Sequence, residues 1–388
     1  MVRTLDAKQK GVDDELLYRS TEVKLGGTTL LSGPVRVIDA TKVAERTVAG
    51  KMPPDRVFEA YKKPTPSLLA KVMSNSKEML RYNRSWQKLT EIAGSDPFLV
   101  FLDYGLKKDD VRRYPSQNEL KFMVRTIHAY STFSTVPMVS SITDYLEVGK
   151  SFDSFCSYVS GALDTIESYN KKPVMGVVPL TIPFTKVEEL MELYLAKDVS
   201  AFALDFAATK PESRIQTHEE VLAFLSDNGV LESSYIHALN ISPGRPRSTT
   251  PVSLSSNVLS PGYCIDTYGD LHRTKIRTEY EPTRTPPVRL FSRKDYGNHI
   301  VTGSEEVESV YPAESSIQVS ELSECVTRRE IAKLFNAEQQ SLEMGRVRRI
   351  ILDKDEKKGM TGYLARKEQV REKDIEAMRS LGHKMRKS

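Results

Sequence analysis

Three aspartates each stand at the end of a short apolar run, where a carboxylate can take part in chemistry. Asp103 closes PFLVFLD, Asp205 closes SAFALD and Asp266 closes GYCID. At the carboxyl ends of parallel strands, such carboxylates serve in glycosyl transfer, as nucleophile and general acid or base, or hold a divalent metal. The pattern predicts an active site at these strand ends and leaves both chemistries open.

Further polar residues accompany the same strand ends. Asp270 and His272 follow Asp266 within six residues, and His237 lies inside the run YIHALN. The strand at 235–241 continues into an SPGR turn, whose amides and cation could hold a phosphate. The residues expected to bind substrate are Asp205, His237, Ser242, Gly244, Arg245 and His272.

The elements that must position these residues follow a regular rhythm. Short, continuous apolar runs, several of them followed by an amphipathic helix, occur at 97–103, 136–142, 173–180, 200–206, 235–241 and 262–266. Such runs are typical of a buried parallel sheet, and six of them in series favour a TIM-like (β/α)8 barrel over an open sheet. A dinucleotide-binding fold has no support, because no G-x-G-x-x-G follows the first strand.

The flanking regions add an N-terminal β-hairpin around Gly26-Gly27 and a C-terminal helical extension, which includes a long helix at 327–350. Capping-box patterns at Thr185–Glu188 and Thr217–Glu220 predict two helix starts. We therefore expect an α/β fold in three parts. They are a flexible lead-in at 1–20, the barrel with its hairpin at 21–325, and C-terminal helices with a basic tail at 326–388.

The charge of the 388-residue chain is unevenly distributed. The formal net charge is +4, yet residues 346–388 alone contain 14 Lys/Arg and 7 Asp/Glu. A basic segment of this kind indicates a polyanionic partner. The residues expected to contact nucleic acid are Arg346, Arg348, Arg349, Lys357, Lys358, Arg366 and Lys367.

Composition narrows the class of protein further. Three cysteines, Cys156, Cys264 and Cys325, lie too far apart for a local zinc site and are odd in number, which argues against a disulfide framework. No stretch is long and apolar enough for a membrane span, and the N-terminus lacks the apolar core of a secretory signal. We expect a cytoplasmic protein with no membrane association, no bound metal and no cofactor.

The order of these features resembles the tRNA-guanine transglycosylase superfamily, including its DNA-modifying 7-deazaguanine branch, over residues 20–350. The opening TEVKLGGTTLLSGPVRVI, the strands LVFLDYG and SYIHALNISPG, the run GYCIDTYGD and the helix with Phe335-Asn336 are similar to that family's elements. The resemblance implies a pentosyltransferase that exchanges a flipped-out guanine in tRNA or DNA for a 7-deazaguanine-type base. Asp266 or Asp270 would be the nucleophile, and Asp103 would handle the proton of the base.

Some positions depart from that family's pattern. The zinc cysteines are absent, Gly269 stands at the position of the nucleophile, and Ala203–Ala207 replaces the strand that binds the base. Two alternatives therefore stay open. One is a non-catalytic barrel that binds nucleic acid or a partner subunit, and a homodimer is a further open possibility. The other is an unrelated barrel enzyme with a divalent metal on Asp103, Asp205 and Asp266.

Overall fold

The computed structural model describes residues 5–43, 55–106, 113–146, 150–169, 172–244, 251–273, 287–312, 314–353 and 359–386. The described part of the chain is a mixed α/β fold with parallel strands and many helices. No helix in these ranges is both long and apolar enough to cross a membrane.

The chain begins with a three-stranded antiparallel sheet of β1 (Leu5–Val12), β2 (Arg19–Leu25) and β3 (Thr28–Ser32). The predicted hairpin is present: β2 pairs with β3, and Gly26 and Gly27 supply φ angles of 57° and 85° at the turn. Within the segment expected to be a flexible lead-in, Leu5–Val12 instead forms β1, because its backbone pairs with β2.

Short parallel strands make up the centre of the molecule. They are β4 (Val35–Arg36), β5 (Ile38–Asp39), β6 (Phe58–Lys62), β7 (Phe98–Leu102), β8 (Ser134–Thr135), β9 (Val174–Pro179), β10 (Ala201–Asp205), β11 (Tyr235–Leu239) and, after the short β12 (Val252–Leu254), β13 (Thr267–Tyr268). One sheet has the order β5-β6-β7 and the other the order β4-β13-β11-β10-β9-β8. Only Val37 separates β4 from β5, and a parallel bridge from Asp103 to Met138 joins the other two sheet ends.

Helices connect and cover these strands. They are α1 (Pro66–Ser74), α2 (Ser76–Ala93), α3 (Gln117–Tyr130), α4 (Ser140–Thr143), α5 (Lys150–Glu167), α6 (Val187–Leu195), α7 (Ile215–Asp227), α8 (Ser304–Val310), α9 (Val319–Leu322), α10 (Arg329–Leu352), α11 (Gly359–Leu364) and α12 (Glu372–Met385). Short 3-10 turns occur at Phe184–Lys186, Pro211–Arg214, Leu231–Ser233, Ser256–Tyr263 and Ser323–Val326.

Several helix and strand boundaries differ from those that the sequence predicts. α6 begins at Val187 and α7 at Ile215, and neither has a side-chain cap, so both predicted capping boxes are wrong. The run 262–266 is not a strand: it contains the end of a 3-10 turn, and Cys264 is left-handed at φ 62°.

A second, smaller core lies near the C-terminus. The antiparallel strands β14 (Val288–Phe291) and β15 (Gly297–Val301) pair with each other, and β12 pairs with β15. Buried side chains of Leu290, Cys325 and Phe335 pack in this core, which takes residues from both sides of the predicted boundary at 325. The division into domains otherwise stays a prediction. α10 joins the two cores, since Phe335 belongs to the second core and Val347 to the first.

Candidate active site at the carboxyl ends of the strands

Glu59, a residue that the sequence analysis did not single out, is a central acid of the polar cluster at the strand ends. Its carboxylate is fully buried within β6. Oε1 accepts hydrogen bonds from Nε2 of His272 at 2.9 Å and from the amide of Asp270 at 2.8 Å. Oε2 lies 3.3 Å from Nε2 of His237. Burial alone would raise the pKa of Glu59, but the charge of His272, its hydrogen bond and the nearby His237 hold it well below its usual range.

His272 is held between two carboxylates. Its Nε2 donates to Glu59, and its Nδ1 lies 3.3 Å from Oδ2 of Asp39, the last residue of β5. Burial opposes the charged form, but Glu59 and Asp39 together raise the pKa of His272 to about 9. The imidazole is therefore protonated at neutral pH and neutralises part of the buried negative charge.

Asp39 and Asp270 share a lysine. Lys42 Nζ lies 2.9 Å from Asp39 Oδ2 and 3.3 Å from Asp270 Oδ2, and the guanidinium of Arg36 forms an ion pair with Asp270. Although burial acts against it, the close contact with His272 and the charge of Lys42 lower the pKa of Asp39 to about 2. Asp270, a predicted nucleophile, is thus a carboxylate whose pKa is lowered by Arg36 and Lys42 despite burial.

Asp103 lies at the carboxyl end of β7, as expected, and is fully buried. Oδ1 accepts the amide of Ser140 at 2.8 Å, and Oδ2 accepts the hydroxyls of Tyr61, at 2.6 Å, and Ser140. Lys63 Nζ lies 3.4 Å from the same Oδ2. The Lys63 stem rests against Gly105, where an added Cβ would come within 2.7 Å of Cγ. A glycine therefore lets the lysine lie close to the strand end.

Asp205 lies at the end of β10 and binds neighbouring loops together. Oδ1 accepts from Asn240 Nδ2 at 2.9 Å and from the amide of Ala207 at 3.0 Å. Oδ2 accepts from Arg273 at 2.9 Å, and the other Arg273 nitrogen forms an ion pair with Asp144. Burial would lower the pKa of Arg273, but the two acids raise it above its usual value.

His237 and Tyr61 connect these groups. His237 is fully buried, Nδ1 lies 3.0 Å from Oγ1 of Thr267, and its ring stacks on Phe101. The ring of Tyr61, whose hydroxyl binds Asp103, stacks on His272 with 5.0 Å between centroids. The groups around Glu59 and those around Asp103 therefore lie side by side and form one network. We call it the strand-end network; its members are Asp39, Lys42, Glu59, Tyr61, Lys63, Asp103, Asp205, His237, Asp270, His272 and Arg273.

Asp266 does not belong to this network. It precedes β13 and therefore lies at the amino end of the strands. Nε and Nη2 of Arg19 donate to its two oxygens at 2.9 and 2.6 Å, and the amide of Ile236 donates to Oδ2 at 2.7 Å. The expected meeting of Asp103, Asp205 and Asp266 at one mouth is wrong, because the run 262–266 is not a strand and the strand starts after the aspartate.

In the predicted phosphate-binding turn, the amides of Ser242 and Gly244 already donate hydrogen bonds within the protein. The amide of Ser242 donates to the carbonyl of Thr209 at 2.9 Å, and that of Gly244 to Oγ of Ser242 at 3.3 Å. Gly244 has a φ of 95°, a backbone conformation that glycine adopts without strain, so glycine is favoured at this position. Arg245 lies outside the described residues.

The basic residues predicted to contact nucleic acid are divided by the structure. Arg346, Arg349, Arg366 and Lys367 line one cleft near the C-terminus. Arg348 instead donates to the carbonyl of Ser32 at 2.7 Å and pairs with Asp55. Lys357 and Lys358 lie outside the described residues, and contact with nucleic acid stays a prediction.

Sequence reasoning missed Asp39, Glu59, Tyr61 and Lys63, all of which contribute to the strand-end network. Asp39 ends the short extended run PVRVID, which Arg36 interrupts, so its position carried a weaker signal than those of Asp103 and Asp205. Glu59 and Tyr61 alternate along β6 and Lys63 directly follows it in the same alternation, which places the three side chains on one face. Within the described ranges, no group of three or more His, Cys, Asp or Glu side chains could hold a metal.

Comparison with known proteins identifies no family. No family model matches the sequence, and no curated protein matches it. Among solved structures, an enolase protein from environmental shotgun sequencing of the Sargasso Sea is similar at 10% identity and a TM-score of 0.33. The match covers 61% of this chain and 54% of that one, so the chain spans about half of the enolase.

A second similar structure is the YdjI aldolase from Escherichia coli K12, at 9% identity and a TM-score of 0.35 over 80% of this chain and 94% of the aldolase. Both likenesses are too weak to carry a function. No family model and no curated relative supports a transglycosylase, and Asp266 lies at the wrong end of the strands. Membership of the tRNA-guanine transglycosylase superfamily, and base exchange with it, is therefore a wrong prediction.

Proposed function

We propose that the parallel strands close into a TIM-like (β/α)8 barrel and that the chain is an enzyme acting at the barrel mouth. The strand pairings support closure. They run from β5 through β6 to β7, and the Asp103–Met138 bridge leads on to β8. From β8 they continue through β9, β10, β11 and β13 to β4, which Val37 joins to β5. In such barrels the reacting groups lie at the carboxyl ends of the strands. The strand-end network occupies that place.

The observation that carries the proposal is the density of buried charge at these ends. Burying an ionised group costs several kcal/mol of folding free energy. Folding alone therefore does not favour collecting several such groups at one place. Here Asp39, Glu59, Asp103 and Asp205 are all buried, and they come from four different strands or their ends. Strongly shifted pKa values, as at Asp39 and His272, are typical of functional sites.

Lys63 is the residue through which this network would meet a substrate. Its side chain is 45% exposed, whereas that of Asp103 behind it is fully buried. An ammonium group in contact with solvent attracts an anionic group, and a lysine side chain can also accept a proton and return it. Asp103, Tyr61 and Ser140 would hold the lysine in place. We propose proton transfer on a small molecule that bears a carboxylate or phosphate group: the Lys63 amine accepts a proton from a substrate carbon, and the resulting ammonium, after exchange with solvent, returns one to the same carbon.

The test uses the full chain and a panel of small carboxylates and phosphate esters. Thermal shift and calorimetry would identify a binder, and NMR in D2O would detect exchange of a substrate C–H for deuterium. We expect Lys63→Met to weaken binding by about tenfold, the loss of one charged contact. Lys88→Met, at an exposed position on α2, is the matched control and should change nothing.

The outcomes separate binding from catalysis. Binding with deuterium exchange that Lys63→Met abolishes supports the enzyme. Binding without exchange by any member of the panel would leave a binding protein and contradict proton transfer. Equal affinity of wild type and Lys63→Met for the ligand would show that Lys63 does not contact it.

A further inference from the structure

A basic cleft lies near the C-terminus, outside the strand-end network. It has a volume of about 970 Å³ and is lined by residues from β14, the loop to β15, α8, α10 and α11, together with residues just beyond α8, α10 and α11. Among the described residues, three acidic side chains line it, Glu314, Glu343 and Asp353. Six basic residues of the described ranges line it: Arg293, Lys294, Arg346, Arg349, Arg366 and Lys367. None of the residues that line the cleft belongs to the strand-end network, so the cleft is a separate feature.

The buried acid of the cleft is already neutralised. Oε1 of Glu343 accepts the hydroxyl of Tyr296 at 2.8 Å and the hydroxyl of Tyr363. Lys367 Nζ lies 3.3 Å from the same oxygen and donates to the carbonyl of Arg293 at 2.6 Å. This arrangement fixes the floor of the cleft and offsets the charge of Glu343.

The cations at the rim are held in place by an aromatic ring and by helix geometry. The guanidinium carbons of Arg346 and Arg366 lie 5.2 and 5.7 Å from the centroid of the Tyr363 ring, one arginine from α10 and one from beyond α11. Arg349 follows Arg346 by three residues, which places both on one face of α10. Among the described residues, no carboxylate forms an ion pair with Arg346, Arg349, Arg366 or Lys294.

We propose that this cleft binds a small ligand that carries a chain of two or more phosphate groups. Planar guanidinium groups bind phosphate oxygens through two parallel hydrogen bonds, and several of them on one cavity suit several phosphates. The volume lies within the range of about 300–1,000 Å³ that is usual for small-molecule sites. The ligand would also relieve the repulsion between the rim cations.

The basic residues converge on a cavity and do not form a stripe along α10. Arg348, between Arg346 and Arg349 in sequence, points away to Ser32 and Asp55 and takes no part. A polymer that follows a surface needs a continuous line of cations. The convergence therefore favours a compact ligand over nucleic acid.

The experiment is calorimetric titration of the full chain with inorganic tripolyphosphate and, separately, with ATP, at low ionic strength. We expect saturable binding of both, weakened by added salt through screening. Tighter binding of ATP would identify a nucleotide as the natural source of the phosphates. Equal affinities would identify the phosphate chain alone as the recognised group. Sulfate at matched ionic strength controls for simple anion attraction and should bind at least about tenfold more weakly.

The decisive variant is Arg346→Ala/Arg349→Ala/Arg366→Ala, which removes three exposed cations of the rim. We expect its affinity for tripolyphosphate to fall by at least about tenfold. The matched control, Lys77→Ala/Arg84→Ala/Lys88→Ala, removes three exposed cations from α2 and should bind as wild type does. The single variant Arg366→Ala, which leaves α10 intact, should show part of the loss and guards against a folding defect of the triple variant.

Three results would overturn the proposal. One is the absence of saturable binding of either phosphate compound to the folded wild type. Another is equal weakening in the cleft variant and in the α2 control, which would indicate attraction by net charge alone. The third is tight binding of a single-stranded oligonucleotide with which tripolyphosphate does not compete, since that would identify a nucleic-acid surface.

Discussion

Glu59 occupies the space that any side chain at position 269 would need. A Cβ atom built on Gly269 would lie 2.1 Å from Oε2 and 2.2 Å from Oε1 of Glu59. The same carboxylate holds His272 and the amide of Asp270. The glycine that the transglycosylase resemblance placed at the nucleophile position is therefore a packing requirement of a buried acid on β6.

Gly269→Ala is expected to force Glu59 from its place. Overpacking of a rigid interior costs about 1–3 kcal/mol, and we expect the free energy of unfolding, measured by urea denaturation, to fall by that amount. Gly161→Ala on α5 is the control, because nothing lies within 4 Å of its added Cβ. There alanine should raise stability by about 0.5–1 kcal/mol through its helix propensity. Equal stabilities of the two variants would mean that Glu59 can move aside.

His272 is expected to make stability depend on pH. Its pKa of about 9 in the folded protein lies above the value of about 6.5 for an unfolded histidine. The stabilisation is therefore fully present below about pH 6.5 and is lost as the pH rises through about 9. Because one proton is involved, the slope reaches at most about 1.4 kcal/mol per pH unit in this window.

The measurement compares urea unfolding of wild type and His272→Gln from pH 6 to pH 10. Subtracting the two curves cancels the other titrating groups. The difference should be largest at the acidic end and shrink as the pH approaches the upper end. A difference that does not vary with pH would show that the imidazole is not charged between Asp39 and Glu59.

The sequence correctly placed acids at strand ends where the apolar run before the acid is a strand. The placement was wrong where an apolar run forms a turn. Asp103 and Asp205 end continuous strands, and their placement follows from the apolar runs before them. Asp266 ends a similar run, but Pro261 and the left-handed Cys264 make that run a turn. Only tertiary pairing with β4 and β11 shows that the strand starts at Thr267.

Other features of the site depend on contacts between residues that are distant in sequence. Glu59 acquires its role from His237 and His272, more than 170 residues away, and no local pattern indicates that pairing. The two capping boxes failed for a different reason. Thr185 lies within a 3-10 turn that precedes α6, and Thr217 lies inside α7, so neither is the residue before a helix.

Asp266 is expected to contribute to stability and not to catalysis. It is paired with Arg19, and both side chains are almost completely buried. Removing one partner of a buried ion pair leaves an uncompensated charge, which costs about 3–5 kcal/mol. We expect Arg19→Met and Asp266→Leu each to lower the free energy of unfolding by that amount. The double variant should lose less than the sum, because no charge is left unpaired.

Denaturation of the four proteins in this cycle measures the coupling between Arg19 and Asp266. Additive losses would mean that the two side chains do not act as a pair. Asp266→Asn keeps the acceptor for the amide of Ile236 and should be milder than Asp266→Leu. If Asp266→Asn kept full stability, the negative charge of Asp266 would have no structural role. That result would contradict the prediction that Asp266 stabilises the fold through its ion pair with Arg19.

Tyr61→Phe tests whether Asp103 depends on its hydroxyl partners. The Tyr61 hydroxyl donates to Oδ2 of this buried carboxylate, and its loss leaves part of a charged acceptor unsatisfied. Such a loss costs about 1–3 kcal/mol, which we expect as a fall in the free energy of unfolding at neutral pH. Tyr130→Phe is the matched control, since the Tyr130 ring packs on Trp86 and no hydrogen bond from its hydroxyl occurs among the described residues. A loss in Tyr130→Phe as large as that in Tyr61→Phe would show that the cost comes from the tyrosine ring environment and not from the Asp103 carboxylate.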